Sequence, residues 1–447
     1  MPSNGLTVIA RVKPGCETAL REILNRIGND INGKRVNASG AEPHIFFTKS
    51  RSLHFARLVL LDDPDAGPGR QRLLFASDYD GDWREHVAEV FNLTNDPDAI
   101  WGCCEGYHGK EHFSEFLRSH SVEPQAYYVA FRGETVHSIR INAYLREQLE
   151  KWVSWPQTAA VTEAVQSLTN KPQWAGRLAY GLEKGVARVG RFLADVWRVL
   201  LVLQDAFITM ARFGPLNAVL GAKRIIITLG RIPLIRLINR LTFNSMPFSP
   251  SPFSSVPIDT CAALAPTVPG DEVVSTPPLV GTPPPQEDVI SQNQLTLIMV
   301  IRPERLRRLQ AVLASIDIYA RRLAPPGSLL GISTIHTVRW LIIDGGRRLL
   351  MVSNYDGTWE NYIDEFAEMI LSGLDAIWEN TAGYPAPGAQ DVAALKHFLR
   401  CHQLPSNVFF SAYPDTTVLN IIDNKKIARG LMGHVQRLNK EHWPSML

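Results

Sequence analysis

Cysteine is scarce and scattered in this chain. The five, at positions 16, 103, 104, 261 and 401, make no CxxC pair and no metal-like quartet, and an odd count at irregular spacing argues against a disulfide framework. Such usage suits a reducing compartment. The stretch "MPSNGLTVIARVKPG" lacks a basic region followed by an apolar one, so no secretory signal is expected and the setting reads as cytoplasmic. Long uncharged runs are also missing from residues 157 to 243, where apolar blocks alternate with single Arg or Lys. The longest there is Phe213 to Ala222, ten residues, far below the ~20 that a spanning helix needs. No GxGxxG loop, Walker A loop, HExxH or GxSxG elbow occurs, which removes the commonest nucleotide, zinc-hydrolase and serine-hydrolase readings.

A charge excess is lacking overall, since the 447 residues carry a net +2. The distribution is nevertheless uneven. Between Lys171 and Arg240, twelve Lys or Arg stand against three acids, which leaves the flanking regions acidic on balance. A basic, amphipathic helical segment suits an anionic partner such as a lipid surface, and peripheral membrane contact through 157 to 243 is the expectation. Helices packed on the rest of the protein with solvated arginines would show the same pattern. Nucleic acid is not expected, because the aromatic residues here sit inside aliphatic blocks.

What the chain does contain is a repeat. "RLLFASDYDGDW" at 72 to 83 returns as "RLLMVSNYDGTW" at 348 to 359. "LTVIARVKP" from Leu6 lies over "LTLIMVIRP" from Leu295, "HFARLVLLD" from His54 over "HTVRWLIID" from His336, and "FLRSH" ending at His120 over "FLRCH" ending at His402. The order is kept throughout, which means a duplicated domain. Each copy reads as β-α-β-β-α-β; Ala19, Leu20, Ile23, Leu24 and Ile27, for example, follow helical spacing. The expected division is a first repeat over 1–150, a basic amphipathic helical segment over 151–245, a linker over 246–292 with eleven prolines, and a second repeat over 293–447.

This element order gives an α+β, ferredoxin-like unit with helices on one face of an antiparallel sheet. The other face needs covering, and two sheets packed face to face would cover it. In this the chain resembles the dimeric α+β-barrel superfamily, which includes antibiotic-monooxygenase-like proteins, chlorite dismutases and dye-decolorising peroxidases. The resemblance covers about residues 5 to 145 and 294 to 430 and rests on element order. It implies an intramolecular pseudo-dimeric barrel.

Candidate site residues come in pairs. Asp80-Gly81 and Asp356-Gly357 suit a turn, followed by the helix N-caps Asp82 and Thr358. They also resemble part of the peroxidase GxxDG motif, with Ser77 and Ser353 in place of its first glycine, which implies an acid acting above haem. Arg57 and Arg339, in apolar strands, need a carboxylate or ligand, such as Asp80 or Asp356. Strand alternation puts His54 and Arg57 on opposite faces unless a bulge intervenes, and the same holds for His336 and Arg339. His120 and His402 end their helices, where they could bind haem iron or serve the helix dipole; His54 and His336 are further candidates for cofactor contact. Tyr107, Tyr384, Trp83 and Trp359 are the candidate pocket lining. Two readings stand: a peroxidase-like haem oxidoreductase, or a non-catalytic tandem barrel that binds an apolar small molecule, a lipid surface or a protein.

Overall fold

Period-2 and period-3.6 apolar patterns fold as they read. The computed structural model describes residues 3 to 31, 45 to 67, 69 to 154, 204, 205, 208, 211, 212, 291 to 386 and 388 to 429. Almost all of the expected linker, and the basic segment apart from its first four residues and those five positions, lie outside these. In the first half β1 (Ser3–Arg11), α1 (Glu17–Ile31), β2 (Leu53–Asp62), β3 (Gln71–Asp80), α2 (Trp83–Leu93), α3 (Pro97–Trp101), α4 (Phe113–Ser119), β4 (Ala126–Val129) and α5 (Val136–Ser154) follow in order. The second half repeats the plan with β5 (Gln292–Val300), α6 (Leu306–Ile318), β6 (Ile335–Ile343), β7 (Arg348–Asp356), α7 (Trp359–Trp378), α8 (Val392–Cys401), β8 (Val408–Ser411) and α9 (Val418–Arg429). Helix α5 runs past the boundary expected at residue 150.

The strands form two four-stranded antiparallel sheets, ordered β1-β3-β2-β8 and β4-β6-β7-β5. A ferredoxin-like unit would keep its four strands to itself; here each closing strand joins the sheet of the other half. The cause is local. Ile9 N–H donates to the His120 carbonyl and Val122 N–H to the Thr7 carbonyl, so residues 120–122 occupy the outer edge of β1. The chain must run past that edge, and β4 pairs with β6.

Among the described residues no ladder joins the two sheets, so the expected barrel is not closed. The molecule is α+β, with two open sheets held face to face and nine α-helices among the described residues. Between the sheets, Val59, Leu61, Leu74 and Ala76 meet Leu341, Ile343, Leu350 and Val352. On the outer faces, alternate residues such as Leu6, Val8 and Ala10 pack under helices, where α1 contributes Leu20, Leu24 and Ile27. No helix among the described residues is long and apolar enough to cross a membrane.

Candidate functional site

Three places concentrate the chemistry: the centre of the space between the sheets, one end of it, and a cavity under α7. At the centre, Arg57 projects from β2 into the opposite sheet. Its guanidinium donates to Gln294 Oε1 (3.0 Å), the Leu295 carbonyl (3.1 Å), Thr296 Oγ1 (3.0 Å), the Ser353 carbonyl (2.7 Å) and Asn354 Oδ1. Arg339 mirrors it from β6, donating to the Leu6 carbonyl, Thr7 Oγ1, the Ser77 carbonyl and Asp78 Oδ1 (2.6 Å). The expected partners Asp80 and Asp356 are therefore not theirs. Arg57 sits wholly among neutral acceptors, and desolvation pulls it down to about 9, with Asp78 opposing the shift and Arg339 adding to it.

Asp78 is the carboxylate of this centre. It accepts from Arg339, Tyr127 Oη (2.7 Å), Thr337 Oγ1 and Asn354 Nδ2 (3.0 Å). Asn354, its counterpart in the second copy, donates to Asp78 and accepts from Arg57, so a neutral amide links the one carboxylate to the second guanidinium. Gly5 explains the closeness on the Arg339 side, because a Cβ there would lie 2.9 Å from that guanidinium and 3.2 Å from Tyr127. Gln294 fills the equivalent space beside Arg57. Asp78 was legible in principle: one register step puts it opposite Phe55, on the face that carries Arg57.

At the end of the sheets the bulge that alternation alone does not reveal is present, with register shifts at Leu53/Phe55 and Ile335/Thr337. The skipped residues are His54 and His336. His54 Nε2 lies 3.0 Å from Asp80 Oδ1, and Tyr413 Oη lies 2.8 Å from its Nδ1. His336 Nε2 lies 2.7 Å from Asp356 Oδ1, but its Nδ1 has no partner, because Phe131 stands where Tyr413 does in the other copy. The second oxygen of each aspartate accepts a backbone N–H, from Val136 or Val418 at 2.8 Å, and so caps α5 or α9. The rings of Phe131 and Tyr413 pack against both imidazoles. His54 and Arg57 do not meet as a catalytic pair.

The remaining candidates brace the fold. Nδ1 of His120 and of His402 faces the carbonyl four residues back, that of Phe116 (2.9 Å) or Phe398 (2.7 Å), at the ends of α4 and α8. Tyr107 and Tyr384 donate to Asp98 and Asp375, each at 2.7 Å. Trp83 and Trp359 lie under Arg118 and Arg400, with the cation 4.6 and 3.6 Å from the ring centroid. None of these six faces the cavity described next. Cys16, Cys103 and Cys104 are free thiols.

The cavity lies between β5, β6, β7 and helices α6 and α7, with a volume of about 40 Å³ and an almost entirely apolar lining that includes Leu297, Val312, Trp340, Met351, Phe366 and Leu374. Met351 pairs with Leu297 as Phe75 pairs with Val8 in the first copy. There the Phe75 ring packs edge-on against Trp101 at 6.0 Å. The thinner methionine leaves that volume empty beside Trp378. Above it α7 departs from helical geometry at Ile370 (φ −137°, ψ 34°), which also lines the cavity. The first half breaks its helix at this level into α2 and α3.

Comparison with protein-family models, characterised proteins and solved structures returns no match to this chain. The resemblance to dye-decolorising peroxidases therefore stands on the motif alone, and the side chains at the motif are engaged with one another. Both His54 nitrogens are engaged, His336 Nδ1 is enclosed by Phe55, Phe131 and Tyr413, and no histidine lines the cavity. Asp80 and Asp356 are committed to an imidazole and a helix cap.

Proposed function

We propose that this chain is a non-catalytic tandem α+β protein, in which two duplicated ferredoxin-like units make a single-chain pseudodimer and the second unit binds a small apolar molecule. The observation that carries this reading is the cavity itself, lined by apolar side chains, with Met351 at the position where the first half has Phe75 packed on Trp101. Maintaining the void costs about 1 kcal/mol at ~24 cal/mol per Å³, and a ligand would offset that cost. The irregular step at Ile370 is where α7 would yield to admit one. Trp340 and Trp378, both in the lining, give a direct readout.

Titration with xenon under pressure, an apolar atom matched to a cavity of about 40 Å³, should quench tryptophan fluorescence saturably. Met351→Phe, which installs the side chain of the first copy, should abolish the response and raise Tm by a few degrees. An identical titration in both proteins overturns the proposal. The basic residues between 171 and 240 support a second contact, with anionic lipid, tested by co-sedimentation with phosphatidylserine vesicles at low and high salt; no sedimentation at low salt removes it.

A further inference from the structure

Where β1 leaves its sheet, Lys13 N–H donates to the Cys103 carbonyl at 2.8 Å and Val12 bridges Cys104, so residues 12–13 run beside 103–104. The chain turns at Pro14 and Gly15, whose φ of +83° suits glycine, and Cys16 N–H closes the turn on the Lys13 carbonyl at 3.1 Å. This return brings Cys16, at the start of α1, beside Cys103, whose thiol donates to the Ala99 carbonyl at 3.7 Å. Both are half-buried and reduced. The second copy builds the same corner without sulfur. Arg302 N–H donates to the Asn380 carbonyl at 3.0 Å and Ile301 bridges Thr381, while Asn380 Nδ2 turns back to the Ala376 and Ile377 carbonyls. Arg305 stands in the place of Cys16. The corner therefore folds without thiols, and the pair in the first copy is an addition to it.

We propose that Cys16 and Cys103 are a redox pair that closes reversibly into a disulfide by exchange with a low-molecular-weight disulfide of the glutathione class. The Cys16 thiolate attacks one sulfur of the small disulfide, whose S–S bond breaks and releases one small thiolate. The Cys103 thiolate then attacks the Cys16 sulfur, the mixed S–S bond breaks, and a second small thiolate leaves. Two protein thiols are oxidised, one small disulfide is reduced to two thiols, and the two protein protons pass to the two leaving groups. Burial raises the Cys103 thiol and so lowers its thiolate fraction; the second step draws instead on its being intramolecular, with Cys103 held beside the Cys16 mixed disulfide. Cys104 is fully buried and pushed up to about 12, so it stays out of the exchange.

The full chain, equilibrated in glutathione buffers of increasing oxidised fraction, alkylated and digested, should yield a peptide pair joined through Cys16 and Cys103 and lighter by two hydrogens. Reduction with excess dithiothreitol should remove it. Cys103→Ser should trap glutathione on Cys16, and Cys104→Ser should leave the link intact. Free alkylation of Cys16 and Cys103 at the most oxidising ratio in folded protein overturns the proposal, as does a link made through Cys104 instead.

Discussion

At the scale of single residues, the two copies differ where a buried charge or an unmet polar atom is at stake. Asp78 and Asn354 divide one role, since two carboxylates at their 3.0 Å contact would repel and two amides would leave both arginines without a counterion. His86 and Tyr362 diverge in another way. Each stacks on the tyrosine of its "YDG" motif, at 3.7 and 4.0 Å, and each meets Ser77 or Ser353. Burial, aided by the charge of Arg339, pulls His86 down from 6.5 to about 3, so the folded protein stays neutral where the unfolded chain takes up a proton. Its contribution to stability is complete above pH ~6.5 and is lost as pH falls toward ~3, with a limiting slope of ~1.4 kcal/mol per unit. His86→Tyr, which copies the second half, should flatten the loss of unfolding free energy between pH 7 and pH 5 in urea titrations. An unchanged slope would place the acid sensitivity elsewhere.

Elements are tied together by the second aspartate of the motif. Asp356 holds His336 with one oxygen and the first turn of α9 with the other, so Asp356→Ala should destabilise the protein by ~3 kcal/mol, with a buried imidazole and a helix N–H both left unmet. Hydrogen exchange should accelerate most at residues 418–421; a uniform change along the chain would contradict the capping role. This coupling was half legible. Alternation and helical spacing located the strands and helices, and the "DG" pair announced a turn before an N-cap, as Asp82 confirms by accepting from the Arg84 and Glu85 N–H groups. The bulges at His54 and His336 were not legible, because a one-residue slip leaves no mark in an apolar strand whose two faces are both buried. Nor was the cavity, which arises from the difference in shape between Met351 and Phe75 and from a single irregular step in α7.

On the scale of the whole molecule, the exchanged strands decide what can fold alone. A strand of four residues such as "AYYV" does not specify its partner, which is why the sequence suggested two self-contained units. The structure instead makes each half supply the fourth strand of the other, with Arg57 and Arg339 reaching across. Separate polypeptides spanning 1–154 and 291–447 should each fail to give a cooperative thermal transition, and mixing them should restore one and produce a 1:1 complex on gel filtration. A cooperative transition in either fragment alone would contradict the exchange.

The exchange also sets a clock for synthesis. The edge of β2 that receives β8 exists once residue 62 has left the ribosome, yet its partner ends at residue 411. At common elongation rates the nascent chain waits roughly 20–70 s with that edge open. An unpaired apolar strand is a template for aggregation, and an inward-pointing charge is one of the features that blunt it. Arg57 sits in the middle of the waiting segment, so the guanidinium that later fastens the two sheets first guards an unfinished one.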